Sequence, residues 1–168
     1  MRLVFALAAI CVWLGTLATA MAGAAEEKNW IKVCDIQDHH DCMMRQVRHT
    51  TTAFDAAMMV RMKPGGQLLV SVNFPTGVDL LKPQKWQIDN GSPGDAPFVY
   101  CSKDACSSQA IVDTNFIARL KKGKSMTASA YLRDGAPISI SFDLAGFSST
   151  FDSENFMTID QYKQLNSK

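Results

Sequence analysis

Apolar and polar residues alternate with period two along much of this chain. From Gln67 to Phe74, the side chains of Leu68, Val70, Val72 and Phe74 face one way and those of Gln67, Ser71 and Asn73 the other, with Leu69 as the exception. Such alternation predicts a strand with one buried face. The apolar stretch Ala57 to Met62 precedes it across Lys63-Pro64-Gly65-Gly66, so the two read as a hairpin. A second hairpin is clearer. Met126, Ala128, Ala130 and Leu132 alternate with polar residues, Asp134-Gly135 marks a turn, and Ile138, Ile140, Phe142 and Leu144 alternate again. Shorter strands are predicted at Trp30 to Ile36, Trp86 to Asp89, Phe98 to Cys101 and Gln109 to Val112. The stretch Asn90-Gly91-Ser92-Pro93-Gly94 is turn-rich. Helical spacing is confined to two places. Phe116, Ile117 and Leu120 share one face behind a cap at Asp113 or Thr114, and Lys121-Lys122-Gly123 ends that helix. Beyond Phe147 the chain turns polar, with a terminal helix predicted from about Ile159 to Leu165. The pattern predicts an all-β, mainly antiparallel fold, a β-sandwich or distorted barrel with one or two short helices.

The N-terminus departs from this pattern. Met1-Arg2 is followed by an apolar run from Leu3 to Leu17 and then by small residues, with Ala20-Met21-Ala22 and Ala22-Gly23-Ala24 as cleavage sites. This order is that of a secretory signal peptide, taken here as residues 1–24, with residues 25–168 as a single β domain. The run is shorter than the roughly 20 residues of a membrane-spanning helix. The mature chain has no apolar run long enough to span a bilayer. Cys11 lies inside the run after Ile10, which is not a lipoprotein signal.

Charge then narrows the field. The chain has 168 residues with 17 Lys plus Arg and 16 Asp plus Glu. Arg2 is the one charged residue of the leader, so its removal leaves the two signs equal. A neutral chain lacks the basic excess of a nucleic-acid binder, and it has little repulsion to oppose self-association. Lys82, Lys85, Lys103, Arg119, Lys121, Lys122, Lys124 and Arg133 are interspersed with acids and read as a solvated face. Lys121, Lys122 and Lys124 are retained as a candidate contact with an anionic surface.

Without Cys11 four cysteines remain: Cys34, Cys42, Cys101 and Cys106. An even count in an exported chain predicts two disulfides. Three pairings are open, and proximity favours Cys34 with Cys42 and Cys101 with Cys106. Each would contribute about 2–3 kcal/mol on the loop-entropy argument. No Cys-x-x-Cys or zinc-finger spacing occurs. The first loop holds Asp38-His39-His40-Asp41, with Met43-Met44 beyond, which are ligand types for copper or zinc. Neighbouring ligands do not converge on one ion without strain, so the loop is read as solvated, with Met43 and Met44 entering a strand beyond it, and no metal or other cofactor is assigned.

Catalytic signatures are missing. Gly123-Lys124-Ser125 resembles the end of a phosphate loop, but its first glycine would fall at Ala118, at a helix end. There is no Gly-x-Ser-x-Gly elbow. His39, His40 and His49 all lie in polar context, and Asp152 with Glu154 in the polar tail reads as solvated. Asn90-Gly91-Ser92 fits a glycosylation acceptor but reads as the turn itself.

Several fragments together resemble a known family. Trp30-Ile31-Lys32-Val33-Cys34, Cys42-Met43-Met44-Arg45-Gln46, Phe74-Pro75-Thr76-Gly77-Val78 and Gln87-Ile88-Asp89-Asn90-Gly91 occur in order. Phe98 to Cys101, Cys106, Leu120-Lys121-Lys122-Gly123 and Leu144-Ala145-Gly146-Phe147 follow. This series resembles the bacterial invasion-associated locus B family. The resemblance implies an exported periplasmic or envelope-associated β-rich protein, with some members linked to host-cell entry, and it carries over the cysteines as structural bridges. It transfers no catalytic residue. The tail from Asp152 has no counterpart in it.

The reading is a non-enzymatic binding or interaction module with an envelope or host-surface protein as partner, and with a role in host-cell invasion or envelope stress. A small-molecule or metal-binding periplasmic module is the alternative, and an enzyme of unknown class comes third.

Overall fold

The computed structural model describes residues 30–38, 40–49, 55–165 and 167. The leader expected at residues 1–24 lies outside them. The first half builds one sheet from β1 (Ile31–Cys34), β2 (Cys42–His49), β3 (Asp55–Met62) and β4 (Leu68–Pro75). The chain then crosses to β5 (Gln84–Ile88) and β6 (Gly94–Ala96), returns through β7 (Phe98–Cys101) and β8 (Ala105–Val112), and enters helix α1 (Thr114–Lys122). The long hairpin β9 (Ser125–Tyr131) and β10 (Pro137–Asp143) follows, then α2 (Phe147–Asp152), β11 (Met157–Thr158) and α3 (Ile159–Leu165).

The strands form a seven-stranded sheet in the order β11-β1-β2-β3-β4-β8-β7 and a four-stranded sheet in the order β10-β9-β5-β6. Every pairing is antiparallel except β1 with β11. The two sheets face each other as a sandwich and neither closes into a barrel. Both expected hairpins form, with Val60 opposite Val70 in one and Ile140 opposite Ala128 in the other. The inner faces supply Met44, Met58, Val70, Val72, Phe74, Met126 and Phe142, all buried. Trp30 meets Phe147 edge-on at 5.0 Å between ring centres.

Two buried glutamines join the sheets. Gln46 on β2 donates through Nε2 to the Asp143 carbonyl at 2.8 Å and accepts the Asp143 N–H at 3.0 Å, while Trp30 Nε1 donates to the same carbonyl. Gln84 on β5 donates to the Val72 carbonyl of β4 and accepts the indole N–H of Trp86 at 2.8 Å. A buried amide needs such partners, since each unpaired polar group in an apolar interior costs about 1–3 kcal/mol.

One end of the sandwich is closed by helices. Helix α1 leaves β8, crosses to β9 and buries Ile117 and Leu120. Asp113 caps it by accepting the Phe116 N–H at 2.8 Å. Gly123 ends it in extended backbone, and the need for glycine there is room. A Cβ would stand 2.8 Å from Ile88 Cγ2 and 2.9 Å from Leu144 Cδ1. Helix α2 is a third short helix where the pattern predicts one or two. The i, i+4 pair Phe147 and Phe151 stacks along it, and Lys32 of β1 donates to the carbonyls of Phe151 and Ser153 at its end. Burial lowers the Lys32 pKa, with Asp152 acting against that shift.

Candidate interaction surface

The opposite end of the sandwich is made of loops. Residues 76–83, 102–104 and 132–136 meet there, at the far ends of β4, β7 and β9 from the helices. Loop 76–83 is tied down at many points. Val78 is buried and bridges Leu132. The Asp79 N–H donates to the Tyr131 carbonyl at 2.7 Å, and the Arg133 N–H to the Gly77 carbonyl at 3.0 Å. The Asp79 carboxylate accepts the Leu81 N–H at 3.1 Å and lies 3.6 Å from Lys82 Nζ. Lys82 in turn sits 4.7 Å above the Tyr131 ring centre. Gly77 supplies the left-handed turn at φ 100° that a side chain would strain.

This tied loop holds two leucines in water. Leu81 is 95% exposed and Leu80 is 49% exposed, beside Tyr131 at 43%. Leaving a leucine out of an apolar environment forgoes about 1.5–3 kcal/mol. A floppy loop could turn such a residue inward, but the hydrogen bonds here fix it outward. Rigid apolar protrusions with a polar surround have the composition of an interaction site. Sequence reasoning missed these residues. The signal was an apolar dipeptide between Gly77 and Pro83, where a connecting loop is normally polar.

The four cysteines form the two pairs favoured by proximity, Cys34 with Cys42 and Cys101 with Cys106. Each bridge links directly opposed residues of neighbouring strands, with Cα atoms 4.1 and 4.0 Å apart. A backbone bond closes the hairpin just beyond each: Asp35 N–H to the Asp41 carbonyl, and Ser102 N–H to the Ala105 carbonyl. The cysteines thus occupy the closely spaced type of antiparallel pair, where a bridge fits. The first bridge lies at the helix end on one flank of the large sheet, the second at the loop end on the other.

The loop between Cys34 and Cys42 uses its acids structurally. Asp35 accepts the N–H groups of Gln37 and Asp38, and Asp38 accepts that of His40. Asp41 binds the Arg61 guanidinium through both oxygens, at 3.1 and 2.9 Å. That hydrogen bond holds the Asp41 carboxyl below its ordinary range, and Arg61 is raised in return. His40 is exposed, and His39 lies outside the described residues. Among the described residues no group of three His, Cys, Asp or Glu is placed to hold a metal.

The lysines at the end of α1 diverge. Lys121 Nζ is 2.6 Å from Asp152 Oδ1 and 4.5 Å from the Phe151 ring centre, so it ties α1 to α2. Asp152, read from sequence as solvated, is held below its ordinary pKa by that contact. Lys122 and Lys124 remain exposed. No helix among the described residues is long and apolar enough to cross a membrane.

Comparison with known proteins covers most of the chain. It is 24% identical over 148 residues to an invasion protein B homolog of Brucella abortus strain 2308, covering 83% of this chain and 86% of that protein. A homolog from Brucella abortus biovar 1 matches to the same extent. The crystal structure of invasion associated protein B from Bartonella henselae superposes with a TM-score of 0.65 at 21% identity, covering 84% of this chain and 96% of that one. That likeness establishes a shared fold. The profile of the invasion associated locus B (IalB) protein family matches residues 30–155, from Trp30 through α2, and the chain therefore belongs to that family.

Proposed function

We propose that this protein is a non-enzymatic, extracytoplasmic binding module that docks a partner protein through its loop end. The observation that carries the reading is Leu81, 95% exposed on a loop tied to β9 and to the turn after it. Preorganised apolar anchors lower the entropic cost of association, and truncating such an anchor removes much of the affinity. The two disulfides support an oxidising compartment, which agrees with the leader predicted from the sequence. The names of the Brucella and Bartonella relatives point to host-cell entry, which makes an envelope or host-surface protein the natural partner.

The test is a photo-crosslinking amino acid at position 81 in protein exported by its own cell, followed by mass spectrometry. A discrete adduct with one envelope or host-surface protein is expected. Leu81→Asp should weaken that complex by at least about tenfold, since it removes an apolar anchor and adds a charge to desolvate. An adduct set indistinguishable from that of an exposed site on α3 would defeat the proposal.

A further inference from the structure

The two sheets end, among the described residues, in four edge strands, and three are guarded. β11 is two residues long and leads straight into α3. β7 follows Pro97 and carries a register break between Phe98 and Tyr100. β6 is three residues long, ends at Pro97 and presents the Lys85–Asp95 ion pair. Short length, proline, bulges and charge are the means by which edges resist pairing. β10 has none of them along its middle. It keeps unbroken register with β9 over seven residues and has no charged side chain from Pro137 to Phe142.

The free backbone groups of β10 can be located. Asp143 turns its N–H and C=O away from β9, toward Gln46 and Trp30. In an antiparallel ladder outward and inward groups alternate residue by residue. Ser141 and Ser139 therefore direct both N–H and C=O outward, and Pro137 directs its carbonyl outward. The Leu132 N–H bond to the Ala136 carbonyl fits the same alternation, as does the 3.1 Å approach of the Ser129 and Ser139 hydroxyls. Ser139 and Ser141 are exposed.

We propose that this edge pairs with the same edge of a second copy, joining the two small sheets into one eight-stranded antiparallel sheet. A two-fold axis at Ser139 sets Ser139 against its counterpart and Ser141 against Pro137. That register makes four backbone hydrogen bonds: two between the Ser139 residues, and one from each Ser141 N–H to a Pro137 carbonyl. The missing N–H of Pro137 costs only one acceptor on each copy, the Ser141 carbonyl, which water can reach. Asp143, already satisfied by Gln46, stays clear of the seam. A strand without charge meets itself without repulsion, and the net charge of the whole chain is only +1. A foreign strand would satisfy the same donors, but only self-pairing supplies a partner at equal concentration and in fixed register.

Sedimentation equilibrium of the disulfide-bonded mature chain reads the proposal. A concentration-dependent dimer is expected, with the Ser139 and Ser141 amides gaining hydrogen-exchange protection as dimer forms. Ser139→Lys should weaken dimerisation by at least tenfold while leaving the melting temperature of dilute, monomeric protein unchanged, because the side chain is exposed in the monomer and meets its own like charge in the dimer. Ser139→Pro should do the same by removing the outward N–H. The exchange pattern of the unaltered protein decides the matter should either variant fail to fold. A chain still monomeric at about 1 mM, beyond the range of a specific weak interface, would overturn the idea. So would a dimer indifferent to Ser139→Lys, or a monomer whose β10 amides are protected only by a foreign protein.

Discussion

Asp89 sits at φ 49°, and its carboxylate accepts the N–H groups of Lys124 and Ser125, each at 2.9 Å. Those bonds, Ser125 first, hold its carboxyl below the ordinary range. The Arg61 hydrogen bond does the same for Asp41, and the Lys121 hydrogen bond for Asp152. In each case the folded chain binds a proton less readily than the unfolded chain. The stability these groups contribute is complete above the unfolded pKa of about 4 and is lost as pH falls through the depressed folded values. Urea unfolding between about pH 6 and pH 2 should show the midpoint falling below pH 4. Asp89→Asn, which tolerates the same backbone angle, should make that fall shallower. Residues with a local role were legible in the sequence: Asp113 as one of two candidate caps, Gly123 as a stop, and the cysteine pairs. Asp89 was not, because its partners lie 35 and 36 positions away.

Elements were legible where their periodicity was clean. The β3–β4 and β9–β10 hairpins and helix α1 appear where alternation and caps place them. β2 runs over Cys42–His49, whereas the pattern marks only Met43 and Met44 entering a strand. Gln46 sits at an inward position, and Arg45 and Arg48 flank it, so alternation was hidden. Helix α2 hides behind its serines, and β11 exists only through a parallel partner far away in the chain. The two hairpin bridges differ in access. Cys34 and Cys42 are both buried, while Cys101 is exposed beside buried Cys106. Under mild dithiothreitol, alkylation with mass mapping should find Cys101 and Cys106 labelled first. Loss of either bridge should lower stability by about 2–3 kcal/mol, since each closes a short loop.

At the scale of the whole molecule, the inter-sheet glutamines fix how one sheet lies on the other. Gln84→Leu keeps the volume but leaves the Trp86 indole N–H unpaired in the core. A cost of about 1–3 kcal/mol is expected in denaturant titration, with the strand content by circular dichroism unchanged. A smaller loss would mean that the indole finds another acceptor. Neither glutamine was foreseeable, because a polar residue in a strand pattern reads as an outward one until a second sheet covers it. The loop end was equally hidden, since the meeting of loops 76–83 and 132–136 depends on the crossing of the chain between sheets. The arrangement of the cysteines has a consequence for biogenesis. Among the four described cysteines the bridges join consecutive thiols, Cys34 with Cys42 and Cys101 with Cys106, so a chain exported N-terminus first would present the first pair together before Cys101 follows. An oxidant that simply joins successive thiols produces the native connectivity, and no shuffling step is required to reach it.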